Sequence, residues 1–104
     1  MLGYDVKAEA PYVVFYDREK REALCNGFGT NFTMVSVRAE DMREVRIYSS
    51  ESEHEVSVSH VVEAGTEGAL ILAYVFRFDT FEDADRFAAE VRGRVREAGL
   101  WKRG

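Results

Sequence analysis

Two histidines are the first residues of this sequence whose side chains could do chemistry. His54 and His60 fall in a segment where apolar and polar residues alternate, which predicts a β-strand. Their even spacing places both side chains on one face of that strand, about 20 Å apart. One metal ion needs ligands about 2 Å away, so the pair predicts no shared metal site. We expect His54 to be exposed in a turn and His60 to be a partly buried sheet residue.

The other reactive side chains are equally isolated. Cys25 has no neighbouring histidine or predicted helix N-terminus to stabilise a thiolate, so we expect it to pack as a small hydrophobic residue. Residues 26–31 (NGFGTN) lack both the dinucleotide-binding glycine spacing and the P-loop lysine, and they predict a hairpin turn. Glu51, Glu53 and Glu55 alternate, but without the glycine spacing of a calcium loop we expect a solvated strand edge. The sequence therefore predicts no catalytic group, no metal and no cofactor.

The composition predicts one domain spanning residues 1–104. Hydrophobic residues make up 46% of the chain, enough to bury a core and to argue against disorder. No stretch approaches the roughly 18 apolar residues of a membrane span. The N-terminal residues have neither the basic nor the apolar region of a secretory signal, and one cysteine cannot form an internal disulfide. Together these features predict a cytoplasmic protein.

The charge of the chain argues against two classes of partner. A net charge of −5 disfavours binding to nucleic acid and to an anionic membrane, which both require a basic surface. The charge is also patterned: residues 51–67 hold five glutamates and no lysine or arginine, whereas residues 92–103 hold five basic residues and one glutamate. This pattern describes either two solvated faces or two unlike patches that associate head to tail.

The choice of charged residues bears on the source of the chain. Arginine outnumbers lysine eleven to three, and the sequence contains no glutamine. Abundant charge with few thermolabile amides is typical of a thermophile. A GC-rich genome would give the same arginine bias, so both explanations stay open.

Alternating and apolar runs predict that most of the chain forms antiparallel strands. Residues 12–16 (YVVFY) are apolar on both faces and predict a buried strand. Residues 1–10 fit an edge strand or a loose arm. Residues 17–25 fit a hairpin better than a short helix, because a helix of two turns is marginal on its own. The further predicted strands cover residues 32–39, 44–50, 55–62 and 69–78.

One amphipathic helix is predicted over residues 80–98. Thr80 is its expected N-cap, acidic residues follow it, and arginines are concentrated towards the other end, as the helix dipole favours. Gly99 is expected to end the helix. The apolar stripe has helical spacing and consists of Ala84, Phe87, Ala88, Val91 and Val95.

These elements define the predicted fold class: α+β, mainly β, with an antiparallel curved sheet or barrel of five to seven strands and one C-terminal amphipathic helix. One helix covers only a stripe of such a sheet, so the sheet must curl or pair with another chain. The strand at residues 69–78 has large side chains on one face and smaller ones on the other. We expect the helix to cover the small-residue face or one mouth of a barrel.

This order of elements resembles the pleckstrin-homology-like barrel, in which a C-terminal helix plugs one open end of a bent sheet. The resemblance covers residues 12–98 and rests on element order alone. Phosphoinositide-binding members carry a basic cluster in the first hairpin. Arg18, Lys20 and Arg21 occupy that place here, but three acidic residues interleave with them. The resemblance therefore implies protein binding or scaffolding, not binding of a lipid headgroup. A dimeric α+β sheet with the helix on one face is the alternative architecture.

The sequence therefore favours a non-enzymatic protein-binding or scaffold module, whose partner is another protein or a second copy of the chain. The alternative is a small-molecule sensor, or a small enzyme that uses a sheet or barrel cavity with Cys25, His60 or Glu55 as acid–base groups. The candidate binding residues are the basic cluster and two aromatic side chains: Arg18, Lys20, Arg21, Phe28 and Tyr48.

Overall fold

Six β-strands and one α-helix make up the part of the chain that the structure, a computed structural model, describes: residues 4–17, 34–63 and 69–101. In chain order these elements are β1 (Tyr4–Glu9), β2 (Tyr12–Asp17), β3 (Met34–Arg38), β4 (Met42–Ser49), β5 (His54–Glu63), β6 (Ala69–Phe78) and α1 (Phe81–Trp101). A 3-10 turn, Ala39–Asp41, joins β3 to β4. Residues 4–9 thus form a strand, as the edge-strand interpretation expects. The hairpin or short helix predicted for residues 17–25 lies outside the described residues from position 18 onwards.

The strands form two antiparallel sheets, which corrects the prediction of a single one. The N-terminal sheet has the order β1-β2-β3, and the C-terminal sheet has the order β4-β5-β6. The fold class, α+β and mainly β with one C-terminal helix, is confirmed. The curved sheet or barrel of five to seven strands is wrong, because among the described residues no strand of one sheet pairs with a strand of the other.

The 3-10 turn is the corner at which the chain leaves one sheet for the other. Ala39 is buried in this turn, and its N–H donates to the carbonyl oxygen of Pro11 at 2.9 Å. That hydrogen bond ties the corner to the turn between β1 and β2. The pairing of β4 with β5 then shifts register between Met42 and Glu44, so Arg43 is the extra residue of a β-bulge. A bulge bends a strand locally and re-aims its side chains.

One hydrophobic core joins the inner faces of both sheets to α1. Phe87 of α1 lies at its centre and is fully buried. The ring centroids of Tyr4, Phe15, Phe76 and Phe78 lie between 4.9 and 6.5 Å from the Phe87 centroid. This aromatic cluster therefore draws on strands from both sheets as well as on the helix.

A hydrogen bond also links the first and last strands of the described fold. The Tyr4 hydroxyl of β1 accepts a hydrogen bond from the backbone N–H of Arg77 in β6, at 3.3 Å. The two residues are 73 positions apart in sequence. Because Tyr4 is itself buried, this bond satisfies a polar group inside the core as well as connecting the sheets.

Helix α1 begins as predicted but continues further. The Thr80 hydroxyl accepts a hydrogen bond from the backbone N–H of Asp83 at 3.2 Å, which is the geometry of an N-cap. The apolar stripe is buried or half-buried along its whole length. Gly99 does not end the helix: α1 runs to Trp101, although glycine has a helix propensity about 1 kcal/mol poorer than alanine. Within the described residues, no helix is long and apolar enough to cross a membrane.

The helix covers the large-residue face of β6, opposite to the small-residue face predicted for it. Tyr74, Phe76 and Phe78 point into the core, whereas Ile71 on the other face is 67% exposed. Aromatic side chains gain more from burial than alanine or valine do, because they remove more apolar area from water. The small-residue face of β6 belongs to the outer surface of the C-terminal sheet.

Candidate functional site

Tyr48 is the one predicted binding residue that falls within the described part of the chain. Arg18, Lys20, Arg21 and Phe28 lie outside it. Tyr48 is exposed on the outer face of β4. The structure therefore leaves the predicted basic cluster untested and gives Tyr48 an accessible position.

Tyr48 and Ile71 are both exposed on the outer face of the C-terminal sheet but form no common patch. Tyr48 pairs with Glu55, and Ile71 pairs with Val61 six residues further along β5. That separation corresponds to about 20 Å along the strand. Ile71 lies next to the half-buried Val61 and Ala73, whereas Tyr48 lies beside Glu55 at the other end of β5.

The residues considered for acid–base chemistry are dispersed or paired. His54 is partly buried at the start of β5, not exposed in a turn, and its Nδ1 lies 2.9 Å from the Ser49 hydroxyl. Glu55 forms an ion pair with Arg77 at 3.2 Å. Cys25 lies outside the described residues. In the segments that the structure covers, no group of three or more histidine, cysteine, aspartate and glutamate side chains could hold a metal ion.

A cleft of about 660 Å³ opens where the two sheets meet. We call it the junction cleft. Its walls come from the start of β2, from β3, from the 3-10 turn, from the β-bulge and from the far end of β5. The residues that line it are Tyr12, Ser36, Val37, Arg38, Glu40, Asp41, Arg43, His60, Val61 and Val62. It therefore combines an apolar wall with two basic and two acidic side chains.

His60 is the buried polar residue of the junction cleft. Its ring is 7% exposed and stacks on Tyr74, with a centroid separation of 5.2 Å and an interplanar angle of 9°. Its Nε2 is buried and has no hydrogen-bond partner among the described residues. Burial lowers the pKa of His60 below its ordinary value, against the smaller opposing effects of a hydrogen bond to the Val61 backbone and of the Asp41 charge. The ring is therefore neutral at pH 7.

This lowered pKa makes the fold sensitive to mild acid. Below the ordinary histidine pKa of about 6.5, His60 is protonated in the unfolded chain but stays neutral in the folded protein. Because the unfolded state then binds more protons, the free energy of unfolding falls as the pH falls. We expect His60→Leu to remove this part of the pH dependence, measured by urea denaturation at a series of pH values from 7 downwards. His54→Gln is the matched control and should retain it. An identical slope in wild type and His60→Leu would contradict the assignment.

A second, smaller cavity of about 360 Å³ lies between β4 and α1. We call it the edge groove. It is lined by Met42, Arg43, Glu44, Val45, Arg92, Val95 and Arg96. The Arg92 guanidinium donates a hydrogen bond across it to the Val45 carbonyl oxygen at 3.0 Å. Among the described strands, β4 pairs with β5 alone, so β4 is an edge strand of the C-terminal sheet.

The edge groove is basic although the chain as a whole is acidic. Three guanidinium groups line it, from Arg43, Arg92 and Arg96, against one carboxylate. That carboxylate, Glu44, is already paired with Arg46 at 2.6 Å. Met42, Val45 and Val95 supply an apolar floor, and each is packed against the core. The groove therefore offers positive charge, apolar contact and backbone hydrogen-bonding groups together.

Sequence reasoning missed both cavities, although part of the signal is present. Arg92 and Arg96 are spaced i,i+4, which places them on one helix face next to Val95 at the edge of the apolar stripe. The sequence alone relates these arginines to the helix dipole and to the basic patch of residues 92–103. Arg94 differs from them, because it pairs with Glu97 at 3.0 Å. Arg43 falls between two predicted strands, and its position at the bulge depends on strand pairing that the sequence does not reveal.

Comparison of the chain with protein-family models, with curated proteins and with solved structures gives no match. No family assignment follows, and no relative supplies a binding or catalytic residue. The two cavities and their lining residues are therefore the basis on which a function is argued.

Proposed function

We propose that this chain is a non-enzymatic protein-binding or scaffold module of the pleckstrin-homology-like type, which holds an extended acidic segment of a partner in the edge groove. The single observation that carries the proposal is the outer edge of β4 beside three arginines and an apolar floor. A strand edge supplies main-chain hydrogen bonds to an added strand, and neighbouring side-chain pockets supply selectivity. No catalytic constellation is needed for this role.

The backbone of β4 supports strand addition at alternate residues. The N–H and C=O of one strand residue point in the same lateral direction, and the direction alternates along the strand. From the Arg92 donor on the Val45 carbonyl we infer that this carbonyl faces away from β5, and the backbone groups of Ile47, two residues on, then face the same way. An added chain would form backbone hydrogen bonds with Ile47. At Val45, an N–H of the added chain would replace Arg92 as the donor to the carbonyl oxygen. The freed Arg92 guanidinium would then be available to a carboxylate of the incoming chain.

The charge of the groove favours an acidic occupant. A carboxylate gains a bidentate partner from arginine, whereas a lysine-rich segment would meet three like charges. The acidic character of the rest of the chain sharpens this preference, since other surfaces repel the same segment. The carboxylates at alternate positions of the added strand would face α1 and its arginines.

Fluorescence anisotropy with a labelled peptide tests the proposal. The probe alternates valine and glutamate and has the length of β4, which is eight residues. We expect micromolar binding by this peptide and none by its valine–lysine counterpart. N-methylation of the peptide backbone at one set of alternate residues should abolish binding, whereas the other set should be tolerated, because only one set faces β4.

Two charge reversals on α1 provide the matched comparison. Arg96→Glu places a negative charge in the edge groove and should weaken binding of the acidic peptide by about tenfold or more. Arg86→Glu makes the same change of charge at a residue outside the groove that pairs with Asp83, and it should leave the affinity unchanged. Equal effects of the two reversals, or equal binding of both peptides, would overturn the proposal.

Self-association is a separate outcome of the same experiment. Glu51 and Glu53 lie exposed between β4 and β5, so a second copy could present an acidic segment to the groove. Such a contact would be reciprocal in a two-fold dimer or head to tail in a longer assembly. Light scattering over a wide concentration range separates the cases. A constant monomer mass removes self-association and leaves a different protein as the partner.

A further inference from the structure

The geometry points to the junction cleft as a binding site for a small zwitterion, an α-amino acid with an apolar side chain. This site shares Arg43 with the edge groove but no other lining residue, and it does not depend on a peptide binding there. It rests on three features of the cleft: a buried ring nitrogen and two opposite charges that have no partner among the described residues, and an apolar wall.

The ring nitrogen of His60 supplies the first anchor. Nε2 is buried and lacks a hydrogen-bond partner among the described residues, although such groups are normally satisfied. A neutral imidazole carries one donor and one acceptor nitrogen, so the ring is able to accept a hydrogen bond at Nε2. The Asp41 carboxylate near it favours a ligand group that donates and is cationic, such as an ammonium group.

Two of the four charged side chains of the cleft form an ion pair with each other, and the other two form none with a described residue. Arg38 and Glu40 are joined by an ion pair at 2.6 Å. Asp41 and Arg43 form no ion pair with any other described residue, although both line the cleft. Asp41 also lies near enough to His60 to affect its titration. A ligand ammonium between Asp41 and His60 would leave the ligand carboxylate for the Arg43 guanidinium.

The remaining lining residues favour an apolar side chain on the ligand. Val37 is buried, Val61 and Val62 are half-buried, and the ring of Tyr12 is 42% exposed. The volume of about 660 Å³ falls in the range typical of ligand pockets, about 300–1,000 Å³. It therefore has room for a leucine or phenylalanine side chain beyond the charged end of the molecule.

The net charge of the lining argues against a polyanionic ligand. Two arginines are balanced by Glu40 and Asp41, so the cleft is neutral when His60 is neutral. A nucleotide or a phosphate ester would need an excess of positive charge. A zwitterion matches a site that presents both signs.

Calorimetric titration with L-phenylalanine and L-leucine tests the inference. We expect binding by both, and we expect the His60 Nε2 resonance in a ¹⁵N spectrum to shift on addition of either. Phenethylamine lacks the carboxylate and 3-phenylpropionate lacks the ammonium group, so each should bind at least about tenfold more weakly than phenylalanine. Equal binding of all three compounds would overturn the zwitterion assignment.

Variants at the two unpaired charges complete the test. Asp41→Asn keeps the size of the side chain and removes its charge, and Arg43→Gln removes the guanidinium group of an exposed residue. Each should reduce phenylalanine affinity by about tenfold or more. Arg46→Gln, on the same strand but outside the cleft, should have no effect. No binding of either amino acid at about 10 mM, or binding that these variants leave unchanged, would overturn the inference.

Discussion

Phe87→Ala should lower the free energy of unfolding by about 3–5 kcal/mol. Phe87 is fully buried, and four other aromatic rings surround it, the nearest at a centroid distance of 4.9 Å. Truncation to alanine removes these contacts and leaves a cavity. The two sheets and the helix around it cannot move together far enough to fill that cavity. Guanidinium denaturation followed by circular dichroism measures the change.

A second phenylalanine on the same helix provides the control. Phe81 lies in the first turn of α1, is 48% exposed, and has one described ring contact, with His54 at 6.3 Å. We expect Phe81→Ala to change the free energy of unfolding by about 0.5 kcal/mol or less. A loss below about 1 kcal/mol for Phe87→Ala would mean that the apolar stripe of α1 does not face the core.

Ala88→Leu should also destabilise the fold strongly, by about 1–3 kcal/mol. Ala84 and Ala88 are both fully buried, so the helix backbone lies close to the sheets at this point. Leucine has nearly the helix propensity of alanine, so the loss would come from overpacking and not from the helix itself. Thermal and chemical denaturation of the purified variant would both report it.

The neighbouring alanine makes this prediction specific. Ala89 is exposed, and Ala89→Leu adds the same atoms to the solvent side of α1. We expect it to leave the stability within about 0.5 kcal/mol of wild type. Similar effects of the two substitutions would show that α1 lies further from the sheets than described here.

The helix could be predicted well because its signals are local. Thr80 caps the N-terminus, and the spacing of Phe87 and Val91 marks the buried face without knowledge of any other element. The C-terminal end was less predictable. Gly99 normally favours a stop, but α1 continues two residues beyond it to Trp101.

The division into two sheets could not be predicted, because its cause is not local. Residues 39–43 contain no glycine or proline to mark a corner. The corner depends on the hydrogen bond from the Ala39 N–H to Pro11, a residue in a different part of the chain. Alternation likewise identifies the two faces of β6, but both are apolar, so the pattern does not reveal which face meets the helix.

The same limit explains what was missed at the two cavities. The prediction that His60 lies in a strand is correct, and the structure buries it more fully than expected. Its place beside Asp41 and Arg43 depends on the pairing of β4 with β5 and on the bulge within it. A sequence gives residue types and spacings, whereas a cleft needs the relative positions of separate strands.

The link between Tyr4 and Arg77 has a consequence for synthesis of the chain on the ribosome. The backbone group that satisfies the Tyr4 hydroxyl is made 73 positions after Tyr4, and its ring partner Phe87 later still. The N-terminal sheet therefore emerges before its core partners in β6 and α1. Contacts of such long sequence separation form slowly and only after the distant residues are available. We expect the two sheets and α1 to pack together only after α1 has left the exit tunnel.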